Sequence, residues 1–167
     1  MRSRKGKQDI KRLVENGIDF LDRAVKAIES SDPKLSSICF YSAVEILLKA
    51  RLMAEHWSLI IKDRNQPSLQ KFMDGDSNTI SIIDAMTRLT VSIHDGLGKG
   101  AQSAIEEVAG HRNKYIHFCN VGQHEQATVV RQQLLCWFHL YEKIKGSWSD
   151  VFSRWEKEFN RIDKELR

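Results

Sequence analysis

Apolar positions recur along this chain at intervals of three and four, the period of an α-helix with one face turned to a core. Between residues 9 and 30, Ile10, Leu13, Val14, Ile18, Leu21, Val25 and Ile28 form one such stripe. Ser30-Ser31-Asp32-Pro33 ends it and starts the next helix. Asp32 suits the N-cap because its carboxylate accepts an orphan amide of the first turn, and Pro33 suits the first helical position, where no N–H is needed. Residues 34 to 61 are apolar nearly all round in their middle, which predicts a buried central helix. Glu45 lies in that middle and is costly there without a partner. Lys49, four residues on, is a local candidate; an arginine from another helix is the stronger one.

Residues 62 to 77 read as a connector. Asp76 or Ser77 then caps a helix over about 78 to 93, with Ile80, Ile83, Met86 and Leu89 or Thr90 facing inward. In His94-Asp95-Gly96-Leu97-Gly98-Lys99-Gly100 three glycines alternate around a lysine. The spacing is not that of a phosphate-cradling loop and no strand precedes it, so a flexible turn is the reading. A fourth helix follows over about 101 to 119, with two stripes. Ile105, Ala109, Arg112, Ile116 and Cys119 form one, apolar except for Arg112; Glu106, Gly110, Asn113, His117 and Asn120 form the other. Gly110 would let another backbone approach closely. Gly122 breaks the chain before a fifth helix, about 123 to 145, whose apolar face is Val129, Val130, Leu134, Trp137, Phe138 and Tyr141. Finally Trp148, Phe152, Trp155, Phe159 and Ile162 make an aromatic stripe over 147 to 167, expected to pack on the domain rather than dock a partner. The expectation is an all-α single domain over 1–167: about five helices in a core of residues 9–145, plus a C-terminal amphipathic helix.

Bulk composition narrows this picture. A chain of 167 residues, 41% hydrophobic and 29% charged, is long enough to bury a core and polar enough to be globular. No apolar run reaches membrane-spanning length, and the basic start lacks the apolar segment of a signal peptide. Cys39, Cys119 and Cys136 are odd in number and widely spaced in apolar helical sequence. They read as reduced, buried thiols of a cytoplasmic protein, not a disulfide frame or zinc site. The net charge of +4 is concentrated: residues 1–12 carry +5, leaving −1 for the rest. Such an arm holds phosphates by charge alone or is simply a solvated terminus.

Candidate chemistry converges on Arg112-Asn113-Lys114-Tyr115-Ile116-His117. On a helix Asn113 and His117 stack at i and i+4, while Arg112 starts on the adjoining stripe with a planar fork long enough to reach round. A base, an amide and a fixed positive charge can therefore meet one small anion. An arginine in a core stripe, beside a histidine and facing a helix with a buried glutamate, is the kind of local conflict found at functional sites. No histidine pair has a metal-ligand spacing such as HExxH.

The central segment SAVEILLKA and the late segment HRNKYIHF together resemble the HEPN superfamily over roughly residues 9 to 145. That resemblance implies an all-α bundle with an Arg-x(4–6)-His motif, often a metal-independent endoribonuclease acting as a toxin or antiviral effector. It places the motif on Arg112 and His117, with Asn113 as polar companion and Glu45 as a candidate acidic residue; Lys114, next in the run, is with Arg112 a candidate for holding the substrate. It implies no cofactor, RNA as substrate, a homodimer whose two motifs line one cleft, and in some systems a cognate antitoxin. In one subgroup a tyrosine two positions past the histidine is nucleotidylated; Cys119 stands there.

RNA carries its own nucleophile, the 2′-OH. Its cleavage needs a base, an acid for the leaving 5′-oxygen and positive charge on the phosphorane. Imidazole suits both proton roles near neutral pH. One chain has one motif histidine; a two-fold dimer has two. The expected products are a 2′,3′-cyclic phosphate and a 5′-OH. The alternative is a non-catalytic HEPN-fold module that binds nucleotide or RNA, or serves as a protein-interaction domain.

Overall fold

The computed structural model describes residues 4–63, 67–118 and 123–167, the side chains of 4–7 and 123–125 excepted. Cys119, Asn120 and Gly122, and the side chains of Arg2, Arg4, Lys5 and Lys7, lie outside that description. Among the described residues the chain is all-α: α1 (Arg4–Glu29), α2 (Pro33–Glu55), α3 (Leu69–Asp74), α4 (Ile82–Val91), α5 (Lys99–His117), α6 (Gln123–Lys145), α7 (Ser149–Phe152) and α8 (Glu156–Leu166). Short 3-10 turns cover Trp57–Ile60 and Ser153–Trp155.

The α1–α2 hairpin sets the frame. Ser31 adopts φ 56°, Ser31 N–H donates to the Ile28 carbonyl and Asp32 N–H to the Ala27 carbonyl, which ties off the last carbonyls of α1. Asp32 then accepts the Leu35 amide at 2.9 Å and Pro33 opens α2, as its sequence position predicts. The two helices approach closely at Gly17, where a methyl group would sit 3.1 Å from the Leu47 side chain. The predicted α1 stripe is the one that packs: Val14, Ile18, Leu21 and Val25 are buried.

α2 is the central helix, with Phe40, Ala43, Val44, Leu47, Leu48 and Leu52 all fully buried. α1, α4, α5 and α6 all pack on it. It ends sooner than expected. His56 turns extended, and the 3-10 turn replaces the helix's last residues. Residues 60–62 instead pair briefly with 78–80 through an isolated antiparallel bridge, Ile61 to Thr79. Buried Arg88 holds this return in place, its Nη1 donating to the carbonyls of Leu59 at 2.7 Å and Ile61 at 2.8 Å. The bridge consumes residues 78–80, so α4 starts only at Ile82. Ser81 caps it in a reciprocal box with Asp84, in place of Asp76 or Ser77. Ile82 faces the core where Ile83 was expected; Ile83 is exposed. The supposed connector contains α3, capped by Ser68 and ended by Gly75 at φ 79°.

The C-terminal stripe packs on the bundle: Trp148, Phe152, Trp155, Phe159 and Ile162 are all buried. Polar links fix α8 across α6 and α1. The Tyr141 hydroxyl donates to Asn160 at 2.6 Å, Trp137 Nε1 to Asp163 at 3.2 Å, and Arg161 pairs with Asp22 at 2.7 Å. At the C-terminal end of α6, Lys143 and the following Ser147 both bond Asp95 Oδ1, and Arg51 of α2 reaches Asp95 Oδ2 at 3.2 Å. One carboxylate thus fastens α2, the glycine-bearing turn and α6. Burial alone would raise the Asp95 pKa; the Lys143 and Ser147 hydrogen bonds, the Lys143 charge and the Arg51 hydrogen bond outweigh it and hold it below the ordinary carboxylate value.

Candidate functional site

α5 presents its residues in a phase that differs from the expected one. Ala101, Ala104, Ile105, Val108 and Tyr115 are buried, and Ile116 is exposed. The core stripe therefore passes through Tyr115, one residue before the expected Ile116. Arg112 remains at its edge, half-buried, while Glu106, Gly110, Asn113, Lys114 and His117 are exposed. Gly110 does not admit a neighbouring backbone: a methyl group built there meets nothing within 4 Å. His117 is the last helical residue, and Phe118 beyond it turns extended and is exposed.

Arg112 reaches from α5 to α2. Its guanidinium carbon lies 5.0 Å from the centre of the Tyr41 ring, a cation–π contact. Its Nη1 donates to Asn113 Oδ1 at 3.0 Å. One face of the guanidinium is thereby occupied by an aromatic ring and one donor by an amide. The Nε–Nη2 edge, the two-donor edge that matches a pair of phosphate oxygens, has no partner among the described residues. Asn113, on the His117 face, connects the arginine to the histidine's side of the helix.

Glu45 does not anchor Arg112. It accepts from Lys49 Nζ at 2.6 Å, the i,i+4 partner, and Lys49 also donates to Thr79 Oγ1 at 3.0 Å. Tyr41 stands one turn back from Glu45 on the same face of α2. Burial first, then the Glu45 charge, raise the Tyr41 pKa; the Arg112 charge opposes them, and a hydrogen bond to Glu45 raises it further. Tyr41, Glu45 and Lys49 thus form one polar stripe along α2, with Arg112 over its first member and Thr79 at its last. Tyr41 and Thr79 were not among the expected site residues. The i, i+4, i+8 spacing of Tyr41, Glu45 and Lys49 is visible in the sequence; the approach of Arg112 and Thr79 is not.

The site is therefore two patches on one helix end. Arg112, Asn113 and the α2 stripe converge, whereas His117 and Lys114 stand in solvent within the same two turns. Cys39 and Cys136 are free and buried, and burial pushes the Cys136 thiol up to about 12, so neither is a nucleophile. No helix among the described residues is long and apolar enough to cross a membrane. No family model, curated protein or solved structure matches this chain.

Proposed function

We propose that this chain is a metal-independent endoribonuclease of HEPN type, working as a homodimer in a toxin or antiviral role. One observation carries the reading. Arg112 is held on Tyr41 and by Asn113 with a two-donor edge left over and, among the described residues, no carboxylate paired to it, within two helical turns of the exposed His117. An arginine held in this way, half-buried at a helix junction, is suited to take an anion from outside.

In the proposed reaction His117 of one protomer removes the 2′-OH proton and that oxygen attacks the adjacent phosphorus. The P–O5′ bond breaks, and His117 of the second copy gives a proton to the departing 5′-oxygen. Arg112 balances the charge gathering on the non-bridging oxygens. Asn113 orients Arg112, and Lys114 attracts the neighbouring phosphates. Glu45 keeps a structural part, since its charge is taken by Lys49.

The test is cleavage of single-stranded RNA with EDTA present. The expected result is 2′,3′-cyclic phosphate ends, and a loss of rate by roughly 10²–10⁴ in His117→Ala. Purified protein that binds RNA and never cuts it overturns the enzyme reading and leaves a phosphate-binding module of the same fold.

A further inference from the structure

The polar stripe of α2 decides which charges on this face pair with one another. Glu45 stands one turn from Tyr41 and one turn from Lys49. The Arg112 guanidinium lies over the Tyr41 ring, and the Glu45 charge acts on the same phenol in the opposite sense. A carboxylate whose side chain is only 23% exposed requires a cation. Lys49, 12% exposed, supplies it at 2.6 Å and is itself fixed by Thr79. Take Lys49 away and the cation already acting on the same phenol is Arg112.

We propose that Lys49 is a positioning residue: by holding Glu45 it keeps the Arg112 guanidinium unpaired, so that its Nε–Nη2 edge can seat a phosphodiester anion. This rests on reading the site as one that handles phosphate, and it assigns Lys49 no contact with the ligand. Tyr41 is the spacer. Its ring carries the guanidinium, and the carboxylate that would otherwise capture that guanidinium stands one helical turn further on. An arginine flipped onto Glu45 would form a bidentate pair, and its best donor edge would be spent inside the protein.

The experiment measures the affinity of the full chain for a 2′-O-methyl RNA oligonucleotide, which keeps the phosphates and lacks the nucleophile. Fluorescence anisotropy at fixed ionic strength serves as readout, with melting temperature as the control for folding. Arg112→Ala is expected to weaken binding about tenfold, the size of one charge-assisted contact. Lys49→Met is expected to match it, and adding Glu45→Gln to Lys49→Met to restore binding to within about twofold of wild type. In the Arg112→Ala background, Lys49→Met is expected to cost nothing more. Glu45→Gln alone, which leaves both cations in place and does not depend on Lys49→Met folding, is expected to bind at least as tightly as wild type. The proposal is overturned by Lys49→Met binding like wild type, by losses that add to those of Arg112→Ala, by a double variant that is not restored, or by a weakened Glu45→Gln. Wild type that fails to bind the analogue overturns it too. Wild type that binds the analogue but leaves unmodified RNA intact overturns the nuclease alone.

Discussion

At the scale of single residues, backbone conformation and charge partnership explain most of what is unusual here. Ser31 at φ 56° occupies a left-handed position that glycine fills at no steric cost. Its side chain is exposed, so Ser31→Gly is expected to stabilise the protein by about 0.5–1 kcal/mol, the relief of strain exceeding the added freedom of the unfolded chain. Thermal melting measures this; an unchanged or lower midpoint would show that the serine carries no strain. The fate of Glu45 shows what residue-level reading can see. Lys49 was legible as its partner because i,i+4 geometry is written in the sequence. An arginine from another helix would make the stronger pair, but such a pair needs the two helices in a register that no local spacing encodes.

Among the elements, periodicity revealed the helices but left their phase open wherever two apolar residues adjoin. Ile82-Ile83 and Tyr115-Ile116 each offered two choices 100° apart, and in both the earlier residue won. For α4 the reason is the antiparallel return at Ile61–Thr79, a contact across 17 residues that shifts the helix start. α3 was missed because a helix of six residues with none buried has no stripe to read, although its Ser68 and Gly75 caps were there to find. The polar junction at Asp95 was hidden for another reason: its partners Arg51, Lys143 and Ser147 come from both sides of it in sequence, far away. Asp95→Asn is expected to cost about 2 kcal/mol at neutral pH, since it strips charge from three hydrogen bonds. The sign with pH follows from the depressed carboxyl. Its contribution is complete above the unfolded value of about 4 and fades as pH falls through the lower folded value. Denaturant titrations of both proteins should therefore converge in acid, and a gap of constant size from pH 7 to about pH 3 would count against this account.

For the whole molecule, the all-α architecture and the packing of the aromatic tail followed from the sequence, while the working unit did not. One chain exposes a single His117 on a face with Gly110 and Asn113, and the proposed chemistry needs a second. If catalysis uses two copies, mixing His117→Ala chains into wild type is expected to lower activity more steeply than the wild-type fraction falls, provided subunits exchange, because a mixed dimer has one His117 where the reaction needs two. Rate measurements across the mixing ratios test this; activity proportional to the wild-type fraction after demonstrated exchange would place the whole reaction in one chain or half-site.

The molecule is also unevenly fastened. α3 buries none of its residues, and its Phe72 ring stacks on Trp57 at 5.3 Å, outside the fully buried centre. Beneath it a hollow of about 450 Å³ runs between Leu13, Met53, Ile60 and Phe72. A segment held this lightly can lift away while α2 stays packed, so the protein should open in parts before it opens as a whole. Deuterium would then enter the amides of Phe72 and Met73 by a route that barely responds to mild denaturant. The amides of Leu47 and Leu48 would wait for the entire fold to come apart. Equal protection at both places would mean that α3 shares the bundle's fate after all.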